Sequence, residues 1–284
     1  IRASQGRLDR ARADFDDVKA RVDAELVSSN DHTRARLDVS SAQKGLFTSQ
    51  SSLERARLAL ALLIGKPVDG AVIPPDALSD AAENFTGDSE SLAKTALDQR
   101  TDLKAAHLET LAARIQAEEP NYRLIPSIDL TGQISANPDP GDHQPWDDET
   151  LTLSLTWTIF DGGARYGDRR SRSAQADISE LSEKKLGREI GNDVSTALVE
   201  LDAAKDAYRV AKESVDAART NSDETGTLYD QGLARAIELT DANASLFDAE
   251  VGLAQARLDL VNAYLDVRAA LGEDPMPGGK GAAR

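Results

Sequence analysis

The 284 residues carry a formal net charge of -16, a pI near 4.6, no cysteine and only 4% aromatic residues. The acidic balance argues against nucleic acid as a partner, because a phosphate backbone is held by clustered Lys and Arg. The missing cysteine excludes disulfides, thiolate nucleophiles and Cys-based metal sites. Abundant Ala and Leu with few aromatics suit long helices, and Gly and Pro gather at a few junctions instead of recurring at the regular short spacing of an all-β chain.

In chain order, the periodicity is helical from Ile1 to about Leu63 and stops at Gly65-Lys66-Pro67. Residues 68–90, rich in Pro, Gly and Asp, read as a linker. A second helix is expected over 91–119, ended by Pro120. From Ser127 to Ser135 the period changes to two, with Ile128, Leu130 and Ile134 alternating against Asp129, Thr131 and Gln133, which predicts a strand. A loop with Pro138, Pro140, Gly141 and Pro145 leads to a second strand over 151–160, where Leu151, Leu153, Leu155, Trp157 and Ile159 alternate with Thr and Ser.

Asp161-Gly162-Gly163 ends that strand, and a proline-free helical pattern runs over 163–230. At the rise of an α-helix this is a rod of roughly 100 Å, too long for the spine of an ordinary compact domain. Gly232 breaks the pattern, another helix is expected over 234–271, and 273–284 read as a disordered tail. The organisation is thus the closing helices of a first copy (1–67), the linker, a second copy (91–272) and the tail.

That duplication is read from a repeat: moving Val22–Gly65 forward by 207 positions lands it without a gap on Tyr229–Gly272. Leu26 meets Leu233, Ala35 meets Ala242, Gly45 meets Gly252, Leu53 meets Leu260 and Gly65 meets Gly272, with about one position in four identical. The chain opens on Ile1 within a helical pattern, so the first copy is expected to be truncated. On this offset roughly 120 residues, including a first strand pair, would precede Ile1, along with any signal or lipid-bearing segment.

Each strand has the length that crosses a tilted bilayer, with one apolar face and one of Thr, Ser, Gln and Asp. A barrel would put the apolar face on lipid and the polar face in a water-filled lumen, with Trp157 suited to the interface. A soluble hairpin with its apolar face on a core has the same pattern, but a lone hairpin is marginal and the adjoining helices are too long to fold back over it. No run of eighteen apolar residues suggests a membrane-spanning helix. The expected class is therefore mainly α with a small transmembrane β part.

No enzyme chemistry emerges from the pattern. His32, His107 and His143 are scattered, Gly65-Lys66 lacks the flanks of a phosphate loop, and neither a metal constellation nor a cofactor motif is present. Glu238 and Asp241 lie three apart and share a helix face. In a symmetric oligomer such carboxylates would form a ring that concentrates cations, whereas in a simple rod they would be a solvated face.

Several segments together resemble the TolC family of outer-membrane factors. Leu124-Ile125-Pro126-Ser127 with Leu130 resembles the family's entry to its second strand pair, and Leu153 to Gly163 its exit strand and the turn into the long helix. Tyr229, Gly232, Leu233, Glu238, Asp241 and Ala242 are similar to its periplasmic-tip motif, and Leu271-Gly272 to its helix end. The resemblance implies a homotrimer with a twelve-stranded β-barrel in outer-membrane lipid and an α-helical barrel across the periplasm of a Gram-negative cell. It further implies a passive exit duct for tripartite efflux or type I secretion, engaged by a periplasmic adaptor protein and an inner-membrane pump. By position Tyr229 matches the family's gating tyrosine, and Glu238 and Asp241 its acidic aperture. The basic gating partner falls at Ala234, with Arg235 one residue on, and the first-copy equivalents of the acidic pair are Asp31 and Arg34. Leu151, Leu153, Leu155, Trp157 and Ile159 would face lipid. The alternative is a soluble coiled-coil scaffold that oligomerises through its hairpin.

Overall fold

The computed structural model describes residues 1–68, 70, 76–123, 125–136 and 147–274. Its elements are α1 (Arg2–Asp23), α2 (Ser29–Ile64), α3 (Asp76–Asn84), α4 (Ser89–Gln99), α5 (Thr101–Tyr122), β1 (Ser127–Ala136), β2 (Asp147–Thr156), α6 (Ala164–Asp230) and α7 (Ala236–Leu271). The fold is mainly helical with one hairpin, the class expected from the sequence. The loop containing Pro138, Pro140, Gly141 and Pro145 and most of the expected tail lie outside the described residues.

The duplication is written into the backbone. Helices α2 and α7 each span 36 residues, and both end on a left-handed glycine, Gly65 with φ 73° and Gly272 with φ 76°. The helical run expected from Ile1 to Leu63 is interrupted at Ala24–Ser28, and this turn repeats the one between α6 and α7. Leu26 N–H donates to the Arg21 carbonyl at 2.8 Å and Glu25 N–H to the Val22 carbonyl at 2.9 Å. In the second copy Leu233 donates to Leu228 at 2.8 Å and Gly232 to Tyr229 at 3.0 Å. Both are Schellman closures, in which one left-handed residue lets two orphan carbonyls find donors. The left-handed residue is Gly232 (φ 73°) in one turn and Glu25 (φ 62°) in the other.

The compact units do not follow the copies. Ile1–Asp88 and Ser195–Ala269 form one unit, and Ser89–Val194 with Ala270–Glu273 form the other. The first unit joins both copies because the apolar stripes of their helices need each other: Leu8 and Ala11 of α1 pack with Ala42 and Leu46 of α2, and Val18 of α1 with Tyr229 and Leu239. The expected linker also contributes to it. Leu78 and Ala82, one helical turn apart on α3, are buried. Arg257 pairs with Asp76 and donates to Ser79, Lys205 donates to the Phe85 carbonyl at 2.6 Å, and Lys212 bridges Glu83 at 2.6 Å.

In the second unit, the helix expected over 91–119 is broken at Arg100, whose extended backbone (φ -60°, ψ 122°) starts α5. Its guanidinium bridges Asp102 at 2.6 Å and Asp193 at 3.4 Å. Pro120 does not end α5, which continues to Tyr122. A proline removes the N–H that would bond the carbonyl four residues back, and here Arg172 Nη1 donates to that Gln116 carbonyl at 3.2 Å. The α5/α6 seam is otherwise largely polar. Glu180 accepts from Lys184 and Arg114, each at 2.6 Å, and these hydrogen bonds pull its carboxyl down to about 2.

Strands β1 and β2 pair antiparallel from Ser127↔Thr156 to Ala136↔Asp147. The second strand therefore starts and ends earlier than the expected 151–160. Trp157 and Ile159 fall beyond its end; the position opposite Trp157 would be Pro126, which has no N–H to give. Cross-strand neighbours Ile128 with Leu155 and Leu130 with Leu153 share one face, while Asp129 with Ser154 and Thr131 with Thr152 share the other.

Candidate functional site

Two features stand out as sites. The first is the apolar hairpin face, where Ile128, Leu130, Ile134, Leu151, Leu153 and Leu155 are all at least two-thirds exposed. Six large aliphatic side chains in one contiguous exposed set mark a surface made to be covered. Trp157 and Ile159 are exposed as well, beyond the end of β2. No described helix is long and apolar enough to cross a membrane.

The second is a cleft of about 840 Å³ in the first unit, at the α1–α2 and α6–α7 turns. Its walls are Val18, Leu26, Ala35, Ile237 and Leu239, and its charged lining is Asp14, Arg21, Asp31, Arg34, Asp38 and Arg235. Tyr229 lines it at the last turn of α6. The ring is buried and its hydroxyl has no hydrogen-bond partner among the described residues. Burial raises that hydroxyl's pKa, with Arg21 opposing and the nearby Asp17, Asp14 and Asp31 carboxylates adding.

Arg21 is the residue that ties this corner together. Its guanidinium lies 4.4 Å from the Tyr229 ring centroid. It donates to the Tyr229 carbonyl at 3.2 Å and to Asp230 at 3.4 Å, and its Nε holds Asp17 at 2.7 Å. A cation over an aromatic face, hydrogen-bonded to a carbonyl of a helix's last turn, satisfies the C-terminal dipole and the ring together.

The structure brings Tyr229, Arg235, Asp31 and Arg34 to one cleft; Glu238 and Asp241 are not among its lining residues. Glu238 closes the first turn of α7. Its carboxylate accepts from the Arg235 backbone N–H at 3.0 Å and from the Arg235 guanidinium at 2.9 Å, and these bonds lower its pKa. Asp31 has the matching role in the first copy, where it accepts from Ser28 N–H at 3.3 Å and Ser28 Oγ at 2.9 Å in a capping box. Asp241 is exposed one turn further along α7.

The sequence reading did not find Arg21, Asp14 or Asn243. Arg21 stands opposite Leu228 in the repeat and carries no pattern of its own. Asp14 and Asn243 did leave a signal: Asp14 interrupts the Ala11–Val18 stripe and Asn243 the Leu239–Leu246 stripe at core spacing. Among the described residues no group of acids and histidines could hold a metal ion. The arrangement offers no nucleophile paired with a base. Its contacts hold two helical turns together.

The sequence pattern of the family described as outer membrane efflux protein matches residues 92–273. The chain is 25% identical over 281 residues to nodulation protein T of Rhizobium leguminosarum bv. trifolii, covering 96% of this chain and 59% of that protein. It is 23% identical over 202 residues to outer membrane protein TolC of Vibrio cholerae, covering 68% of this chain and 45% of the other. Among solved structures, the outer membrane protein VceC of Vibrio cholerae aligns with a TM-score of 0.73 at 18% identity, over 97% of this chain and 66% of that one. The chain thus spans about half to three-fifths of the length of these curated relatives.

Proposed function

The chain belongs to the outer membrane efflux protein family, and from that premise we propose that it is the channel subunit of a passive exit duct running from the outer membrane into the periplasm. It is not an enzyme, and its place is the outer membrane. The observation that carries the duct is the hairpin: one largely exposed aliphatic face backed by a Thr, Ser and Asp face, joined through a short turn to the 67-residue helix α6. In a closed barrel the first face meets lipid and the second lines water. Trp157, just past the strand, fits the interfacial level.

In this reading the chain works as a homotrimer of twelve strands in all, coupled to a periplasmic adaptor and an inner-membrane pump in tripartite efflux or type I secretion. The helix turns form the periplasmic aperture. Tyr229, Arg235, Asp31 and Arg34 line the aperture, Arg21 ties its turns together, and Glu238 and Asp241 set the local field. Docking of the adaptor shifts a closed-to-open equilibrium by binding the open turns better.

Planar-bilayer recording of the detergent-purified protein tests the duct. Discrete, cation-selective openings are expected, and a water-soluble protein without conductance would overturn it in favour of a coiled-coil scaffold. Glu238→Gln with Asp241→Asn removes two charges, while Gln keeps the helix-capping hydrogen bond. Cation preference is expected to fall in this variant, and an unchanged preference would remove these residues from the aperture.

A further inference from the structure

A buried polar chain crosses three helices of the first unit. Asp14 of α1 sits between Ala11 and Val18, each 3% exposed, on the stripe that packs inward. Its Oδ2 accepts from Asn243 Nδ2 of α7 at 3.0 Å, and Asn243 Oδ1 accepts from Ser222 Oγ of α6 at 2.8 Å. Ser222 and Asn243 are both buried. The chain links the first copy's hairpin to the second's, and it exists once: the repeat puts Asn221 opposite Asp14 and Arg36 opposite Asn243.

The charges around Asp14 leave its carboxylate poorly compensated. On α1 it faces Arg10 and Asp17, and from α2 it faces Asp38. Asp31 and Arg34 of α2, Tyr229 of α6 and Arg235 beside α7 line the same cleft. Of the near cations, Arg7 reaches Asp38 at 3.5 Å and Arg21 holds Asp17, while Arg10, 3.8 Å from Glu250 of α7, offsets the repulsion on Asp14 only in part. A half-buried carboxylate beside two like charges, with one amide donor, is costly to keep ionised.

We propose that Asp14, Asn243 and Ser222 form a proton-operated clasp, which holds α1 and α7 together more tightly when Asp14 is neutral and slackens when it is charged. Protonation removes the repulsion from Asp38 and Asp17 and leaves an oxygen to accept from Asn243. Burial, with Asp38 and Asp17 adding and the Asn243 hydrogen bond opposing, pushes the carboxyl up from 3.8 to about 6. A raised folded-state value means the packed arrangement gains stability as pH falls through about 6, and the gain is complete below 3.8.

Amide hydrogen exchange across α1 and the first half of α7, corrected for the intrinsic pH dependence of exchange, tests the clasp. Between pH 7.5 and 5.5 the linkage allows a slowing of up to about fourfold, less to the extent that solvent screens the carboxylate. Asp14→Asn, which keeps an acceptor for Asn243, is expected to abolish the pH effect and give protection at both pH values. Asp38→Asn, which leaves Asp14 in place, is expected to shrink it. Equal wild-type protection at both pH values, or an undiminished effect in either variant, would overturn the proposal. Its bearing on the duct rests on the function proposed above: acid is expected to lower open probability in wild type and leave Asp14→Asn unchanged. Loss of conductance altogether would sink the duct and leave the exchange result standing.

Discussion

The turn after α1 and the turn after α6 close with the same hydrogen bonds, yet only one has the residue the geometry favours. Gly232 takes its left-handed φ without strain, whereas Glu25 holds nearly the same φ with a side chain attached. The flanking chemistry has diverged too: Ser28 and Asp31 cap α2 where Arg235 and Glu238 cap α7, and Arg34 stands where Asp241 does. Duplication preserved the backbone bonds, which any sequence can make. The side chains around those bonds were free to differ.

The widest separation between the copies is in the second halves of α2 and α7. Leu260 is fully buried and its counterpart Leu53 only partly. Leu260→Ala should cost about 2–5 kcal/mol and Leu53→Ala about 1 kcal/mol, read as loss of thermal or urea stability. Equal costs would mean that Leu53 is as fully covered in the assembled protein. Next in size are the helix ends. Gly272→Ala combines a disfavoured left-handed φ with a new Cβ 3.0 Å from Arg100 Cγ and 3.3 Å from its Cα, so about 2–3 kcal/mol is expected. Gly65→Ala, at the same φ but with open space around it, should cost about 1–2 kcal/mol.

Smaller effects sharpen the comparison at the turns themselves. Ser28→Ala removes one half of a capping box and should cost about 1 kcal/mol, read as earlier fraying of α2 in amide exchange. Glu25→Gly is expected to act in the opposite direction. Relief of the left-handed strain outweighs the added chain entropy by about 0.5 kcal/mol, so the melting temperature should rise slightly. A fall would mean that the Glu25 side chain makes a contact worth more than its strain.

Much of this fold is legible in the sequence, and the misreadings have physical causes. The repeat aligned the closing glycines of both 36-residue helices, but the turn at Glu25 was missed and the pattern read as one helix from Ile1 to Leu63, because no Gly or Pro marks the break. Helix α3 was hidden because Leu78 and Ala82 give only one turn of apolar pattern beside a Pro- and Gly-rich stretch. Arg100 breaks a helix with no Gly or Pro to announce it, and Pro120 fails to break one because Arg172 supplies the missing donor. The alternation outruns the ladder of β2: it continues through Trp157 and Ile159, whereas the pairing ends at Thr156. Resemblance supplied Tyr229, Arg235, Asp31 and Arg34. Arg21, whose contacts to the second copy are made 208 and 209 residues away, could not be read from any local pattern.

The hairpin has a consequence in the plane of its hydrogen bonds as well as on its faces. A two-stranded sheet satisfies one side of each strand and leaves a row of N–H and C=O groups on the two outer rims. Water can pay that debt, but hydrocarbon cannot, at several kcal/mol per unmet group. In the barrel proposed above, one hairpin therefore cannot enter lipid ahead of its neighbours. Rim closure and insertion have to occur as one event, so the rate of appearance of inserted protein should rise more steeply than linearly with the concentration of chains at the membrane surface.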